Sequence, residues 1–71
     1  MKYLIRVVWR EGEDIKSLAK ATNYRINAEY IFKNYTQMMN LPYVDIIRVS
    51  VYEDGYEIER RIKENGSQIR N

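Results

Sequence analysis

The stretch Val44–Lys63, VDIIRVSVYEDGYEIERRIK, decides the fold of this chain. Asp54-Gly55 lies between two runs of β-branched and aromatic residues. Asp-Gly in that setting is a strong hairpin signal, because both turn residues must adopt positive φ. Pairing Glu53 with Tyr56 sets the rest of the ladder: Tyr52–Glu57, Val51–Ile58, Ser50–Glu59, Val49–Arg60, Arg48–Arg61 and Ile47–Ile62. One face then holds Ile47, Val49, Val51, Ile58 and Ile62. The other holds Arg48, Ser50, Tyr52, Glu57, Glu59, Arg61 and Lys63. The pattern is that of a half-buried sheet with a charged outer face.

Upstream, Tyr3–Arg10 reads as another strand. Tyr3, Ile5, Val7 and Trp9 alternate with Lys2, Leu4, Arg6, Val8 and Arg10, and the uncharged first set is the core face. Glu11-Gly12-Glu13-Asp14 ends it. Between Asp14 and Asn23 a short helix or turn is expected, capped by Asp14, with Ile15, Leu18, Ala19 and Thr22 on one side. A return strand or an irregular loop are the alternatives.

Asn27–Asn40 is the main helix. Ala28, Ile31, Phe32, Tyr35, Met38 and Met39 form its apolar stripe, and Glu29, Lys33, Asn34, Thr36 and Gln37 face water. A break is expected between Thr22 and Asn27, with Asn23 or Asn27 as N-cap. Leu41-Pro42 ends the helix, since a residue before proline disfavours the α region.

The expected fold is α+β, in the order strand, helix, strand, strand, with one amphipathic helix on one face of a three-stranded sheet. A return strand within Ile15–Ala21 would make the sheet four-stranded. The first and second strands are parallel if adjacent, and the sheet is antiparallel throughout if the third lies between them. Residues 1–63 form a single domain, and 64–71 are expected to be a mobile polar tail.

Composition narrows the function. The chain has 71 residues, with no cysteine and no histidine, which removes disulfides, the common zinc sites and most acid–base and nucleophile arrangements. No enzymatic activity, cofactor or metal is expected. Glu57 and Glu59 form a carboxylate pair on one face, without the dry pocket that would raise an acid's pKa. The charge is mild, with 12 Lys+Arg against 10 Asp+Glu. A polyanion-binding domain usually shows a stronger bias. No signal peptide or membrane span is evident, so a cytoplasmic location is expected. A core this small is marginal on its own, which makes a homodimer an expected partner state.

A single helix leaves the outer sheet face open. The candidate partner-binding residues there are Arg6, Arg10, Arg48, Tyr52, Arg61 and Lys63. Arginine supplies forked donors for carboxylate or phosphate, and tyrosine and arginine are enriched in interface hot spots. Tyr30 and Tyr43 are further interface candidates. A protein partner is favoured over nucleic acid, because single-strand binders display several stacking aromatics on the sheet and only Tyr52 is so placed.

The layout of Ala28-Glu29-Tyr30-Ile31-Phe32, Val44–Glu53, Asp54-Gly55 and Tyr56–Ile62 resembles small proteins of bacteriophages and other mobile elements. The resemblance implies binding to, and blocking of, a host protein such as a defence nuclease complex. The weakly basic charge departs from the acidic inhibitors that mimic DNA.

Overall fold

In the computed structural model, which describes residues 2–63, the chain runs β1 (Tyr3–Glu11), β2 (Asp14–Thr22), α1 (Arg25–Met38), β3 (Ile46–Glu53) and β4 (Tyr56–Ile62). The four strands form one antiparallel sheet in the order β2-β1-β3-β4. The proposed tail, 64–71, lies outside the described residues.

Asp14–Thr22 is therefore a strand, not the short helix or turn expected, and the sheet has four strands rather than three. The turn explains why. Glu11 pairs with Asp14, leaving Gly12-Glu13 as a two-residue loop. Gly12 has φ +64, and Glu13 is not among the positive-φ residues. That combination fits a type II′ turn, whose twist suits a tight hairpin. The return strand also reverses the chain, so β1 and β3 are adjacent but antiparallel.

The expected core face of β1 is the one that packs. Tyr3, Ile5 and Val7 are buried with Ala28, Phe32 and Met39 of the helical segment and Ile46, Val49 and Val51 of β3, and Trp9, Ile31 and Tyr35 are partly buried against them. The helix packs on β1, β3 and, less extensively, β2. Its start is Arg25, two residues before the expected one, and its N-cap is Tyr24, neither Asn23 nor Asn27. The hydroxyl of Thr22 instead organises the corner, accepting from the Tyr24 amide at 3.2 Å and the Asn27 amide side chain at 3.4 Å. Thr36, expected to face water, is buried. It satisfies its hydroxyl internally by donating to the Lys33 carbonyl at 3.0 Å.

One register shift rearranges the expected hairpin, and a second lies between β1 and β3. Asp54 and Gly55 do both have positive φ, at 52 and 88, and Glu53–Tyr56 and Tyr52–Glu57 pair as expected. Beyond them the ladder shifts, and Val51 faces Glu59, Ser50 faces Arg60, Val49 faces Arg61 and Arg48 faces Ile62. Ile58 is the extra residue of a β-bulge. Because side chains alternate across a strand, a one-residue shift moves each following side chain to the opposite face. The second shift lies between Val8–Arg48 and Trp9–Ile46, with Ile47 as the extra residue. Ile46 is consequently in the core, while Ile47, expected on the core face, is only partly buried. Ile58 and Ile62, expected in the core, are 45% and 46% exposed.

Candidate functional site: the uncovered face of the sheet

The cross-strand pairs define the face opposite the helix row by row. Nearest the Asp54-Gly55 turn, Ala21, Leu4, Tyr52 and Glu57 lie across the four strands. The next row is Ala19, Arg6, Ser50 and Arg60, followed by Ser17, Val8, Arg48 and Ile62. Ile15 and Arg10 close it. The face is thus divided. Over β2 and β1 it is a floor of small and aliphatic groups crossed by Arg6. Over β3 and β4 it is a charged network.

That network centres on Glu57. Arg48 donates from Nη2 to Glu57 Oε2 at 3.1 Å and from Nε to Ser50 Oγ at 3.1 Å. Arg60 approaches the other oxygen of Glu57 at 3.8 Å. These side chains cover Ser50, which is fully buried although it lies on the uncovered face. The Arg48 hydrogen bond, foremost, holds the Glu57 carboxyl below the usual carboxylate range. A carboxyl kept ionised in this way is unsuited to donate a proton. The expected carboxylate pair does not form either, since Glu57 faces outward with Tyr52 while Glu59 faces the helix side with Val51.

Four of the six candidate residues share this face: Arg6, Arg10, Arg48 and Tyr52. Arg10 reaches across the end of the sheet to Asp45 at 3.8 Å. Arg61 and Lys63 are corrections. The bulge places Arg61 opposite Val49, on the helix side. Lys63 lies beyond β4, and its ammonium donates to the Val44 carbonyl at 3.3 Å. The like-charge pair Arg48–Arg61 does not occur, since Arg48 faces Ile62. Arg60 takes the place expected for Arg61.

The structure adds residues that the sequence reading missed. Ser17, Ala19 and Ala21 join the face because β2 is a strand. The one local signal is the Gly-containing turn before them, since Ile15, Ser17, Ala19 and Ala21 and the alternate set Lys16, Leu18, Lys20 and Thr22 each mix polar and apolar residues.

Hollows flank the sheet on both sides. One, about 460 Å³, lies on the uncovered face and is lined by Lys2, Leu4, Arg6, Tyr52, Asp54 and Gly55. Another, about 350 Å³, lies on the helix side and is lined in part by Trp9, Leu18, Tyr35, Met38 and Tyr43. Tyr30 and Tyr43 are well exposed, but away from the uncovered face: Tyr30 is on the helix and Tyr43 in the loop that precedes β3. Among the described residues no helix is long and apolar enough to cross a membrane.

No family model, curated protein or solved structure matches the chain.

Proposed function

We propose that this chain is a small non-enzymatic protein-interaction module that docks a partner protein on the uncovered face of its sheet. In the reading that the phage-protein resemblance implies, the partner is a host protein, such as a defence nuclease complex, and docking blocks it. A cysteine-free chain suits the reducing cytoplasm as the place of action.

The observation that carries this reading is the divided face. Ser17, Ala19 and Ala21 project little, so a partner's side chains can approach the floor beside Leu4 and Val8 closely. Arg6, Arg10 and Tyr52 border or cross that floor, as anchors do in an interface whose apolar centre has a polar rim. Arg48 and Arg60 share the single carboxylate of Glu57, which ties both into an intramolecular network and leaves one positive charge of the three unbalanced. The mild net charge of +2 and the single aromatic on this face among the described residues, Tyr52, favour a protein partner over a polyanion.

The test is affinity capture from the source cell with the wild-type chain and with Ala19→Arg, which places a long cation on the floor. The expected result is one protein retained by wild type and lost from the variant, with circular dichroism unchanged. Equal retention by both would refute docking on this face.

A second reading, single-stranded nucleic acid, rests on the juxtaposition of Tyr52 with Arg6, which has no carboxylate within ion-pair reach among the described residues. Charge-driven binding weakens steeply as salt rises. Titration with single- and double-stranded oligonucleotides at low salt decides it, and no binding there ends this reading.

A further inference from the structure

We propose that the outer edge of β4 pairs antiparallel with the same edge of a second copy of this chain, joining two sheets into one continuous layer. β4 pairs only with β3, so its other edge carries backbone donors and acceptors with no strand partner among the described residues. All seven of its residues are exposed, because the helix packs over the other three strands. An edge of this kind is a template for another strand.

Charge order identifies the occupant. Glu57 and Glu59 come first along the strand, and Arg60, Arg61 and Lys63 follow. Reversing one copy against another therefore sets an acidic half against a basic half. The other sheet edge lacks this property: β2 carries Lys16 and Lys20 and no acid between Ile15 and Thr22.

Backbone geometry narrows the register. The Lys63 amide donates inward to the Ile47 carbonyl at 2.8 Å. Hydrogen-bonding direction alternates along an antiparallel strand, so Ile62 and Arg60 present their backbone groups outward. The bulge precedes Glu59, leaving Glu59–Ile62 in unbroken register with β3. A two-fold axis through Arg60 then brings Glu59 opposite Arg61 of the second copy, twice. The Arg60–Arg60 contact at the axis is offset by Glu57, which lies 3.8 Å from Arg60 in each copy. This contact uses the sheet edge and is independent of docking on the uncovered face.

Sedimentation equilibrium of the full chain from micromolar to millimolar concentration tests the pairing. The mass is expected to rise from the 8.6 kDa of one chain towards that of two. Glu59→Arg alone and Arg61→Glu alone each turn two attractive cross-strand pairs into repulsive ones and are expected to weaken association about tenfold. Mixing the two variants restores opposite charges at both positions, as does the double exchange Glu59→Arg/Arg61→Glu within one chain, and both are expected to recover the wild-type affinity. Circular dichroism confirms that each variant is folded. A wild type that stays at one-chain mass, variants that associate as wild type does, or a mixture and double exchange that fail to recover would each overturn the proposal.

Discussion

The β1–β2 hairpin pairs from Tyr3–Thr22 to Glu11–Asp14 without a register shift, whereas the β3–β4 hairpin shifts between Val51 and Tyr52. Both close on two-residue turns with Gly at positive φ. They differ in what lies above them. The helix rests on β1, β3 and part of β2, so those strands have an inside, and burial dictates which side chains turn inward. β4 has no such cover, and nothing apolar on the helix side demands Ile58 or Ile62. The bulge instead gathers Glu57, Arg60 and Arg48 on the uncovered face. The comparison shows that a turn sets where two strands meet, while packing decides how far that register continues.

The largest expected contrast is between covered and uncovered strands. Ile5 is completely buried. Ile5→Ala is expected to cost about 2–5 kcal/mol, as large-to-small changes in a packed core do. Ile62→Ala is expected to cost less than about 1 kcal/mol, because roughly half of that side chain already meets solvent. Urea denaturation of the two variants measures the difference, and equal losses would mean that β4 is packed as well as β1.

The two turns are expected to respond alike despite their different hairpins. An added Cβ at Gly12 or Gly55 meets nothing within 4 Å, so any penalty is one of backbone conformation. At φ +64 and +88 an L-residue is strained, and Gly12→Ala and Gly55→Ala should each cost about 1–2 kcal/mol. Unfolding midpoints of the two variants check this. A loss at Gly55 alone would mean that the β1–β2 turn tolerates another geometry.

The smallest effect is electrostatic. Each hairpin holds one carboxyl below its ordinary range: Glu57 through its hydrogen bond from Arg48, and Glu11 through its hydrogen bond from Lys16, whose ammonium lies 2.7 Å away. A carboxyl whose folded-state pKa is lowered stabilises the fold above its unfolded pKa. The contribution is lost as pH falls through the lowered value. Thermal midpoints followed from neutral to acid pH should therefore fall less steeply in Glu57→Gln and in Glu11→Gln than in wild type. Both groups are open to solvent, which keeps the effects small.

Legibility in the sequence follows the same division. Asp54-Gly55 is local chemistry, and the turn it announces is present. The alternation of Tyr3, Ile5, Val7 and Trp9 is equally local, and that face is the core. Asp14–Thr22 was harder. Ala19, Lys16, Ser17 and Lys20 are weak strand formers, and Ile15, Leu18, Ala19 and Thr22 fit a helical stripe as well as a strand. Only pairing with β1 settles it, and that is a tertiary effect. The bulges at Ile47 and Ile58 have no local signal either, the first lying between two covered strands and the second on the uncovered β4, and they bring Ile46 rather than Ile47 into the core and put Arg60 where Arg61 was expected. Arg6, Arg10, Arg48 and Tyr52 were legible as one surface because each lies before a bulge or on an unshifted strand. Ala19 and Ala21 were not, because their strand was not.

Cross-strand nuclear Overhauser effects in solution test the arrangement of the uncovered face most directly. The account predicts contacts between Ser50 and Arg60 and between Arg48 and Ile62, together with Arg6 beside Ala19. A ladder that places Arg48 against Arg61 and Ser50 against Glu59, or β1 without β2 as its neighbour, would contradict it.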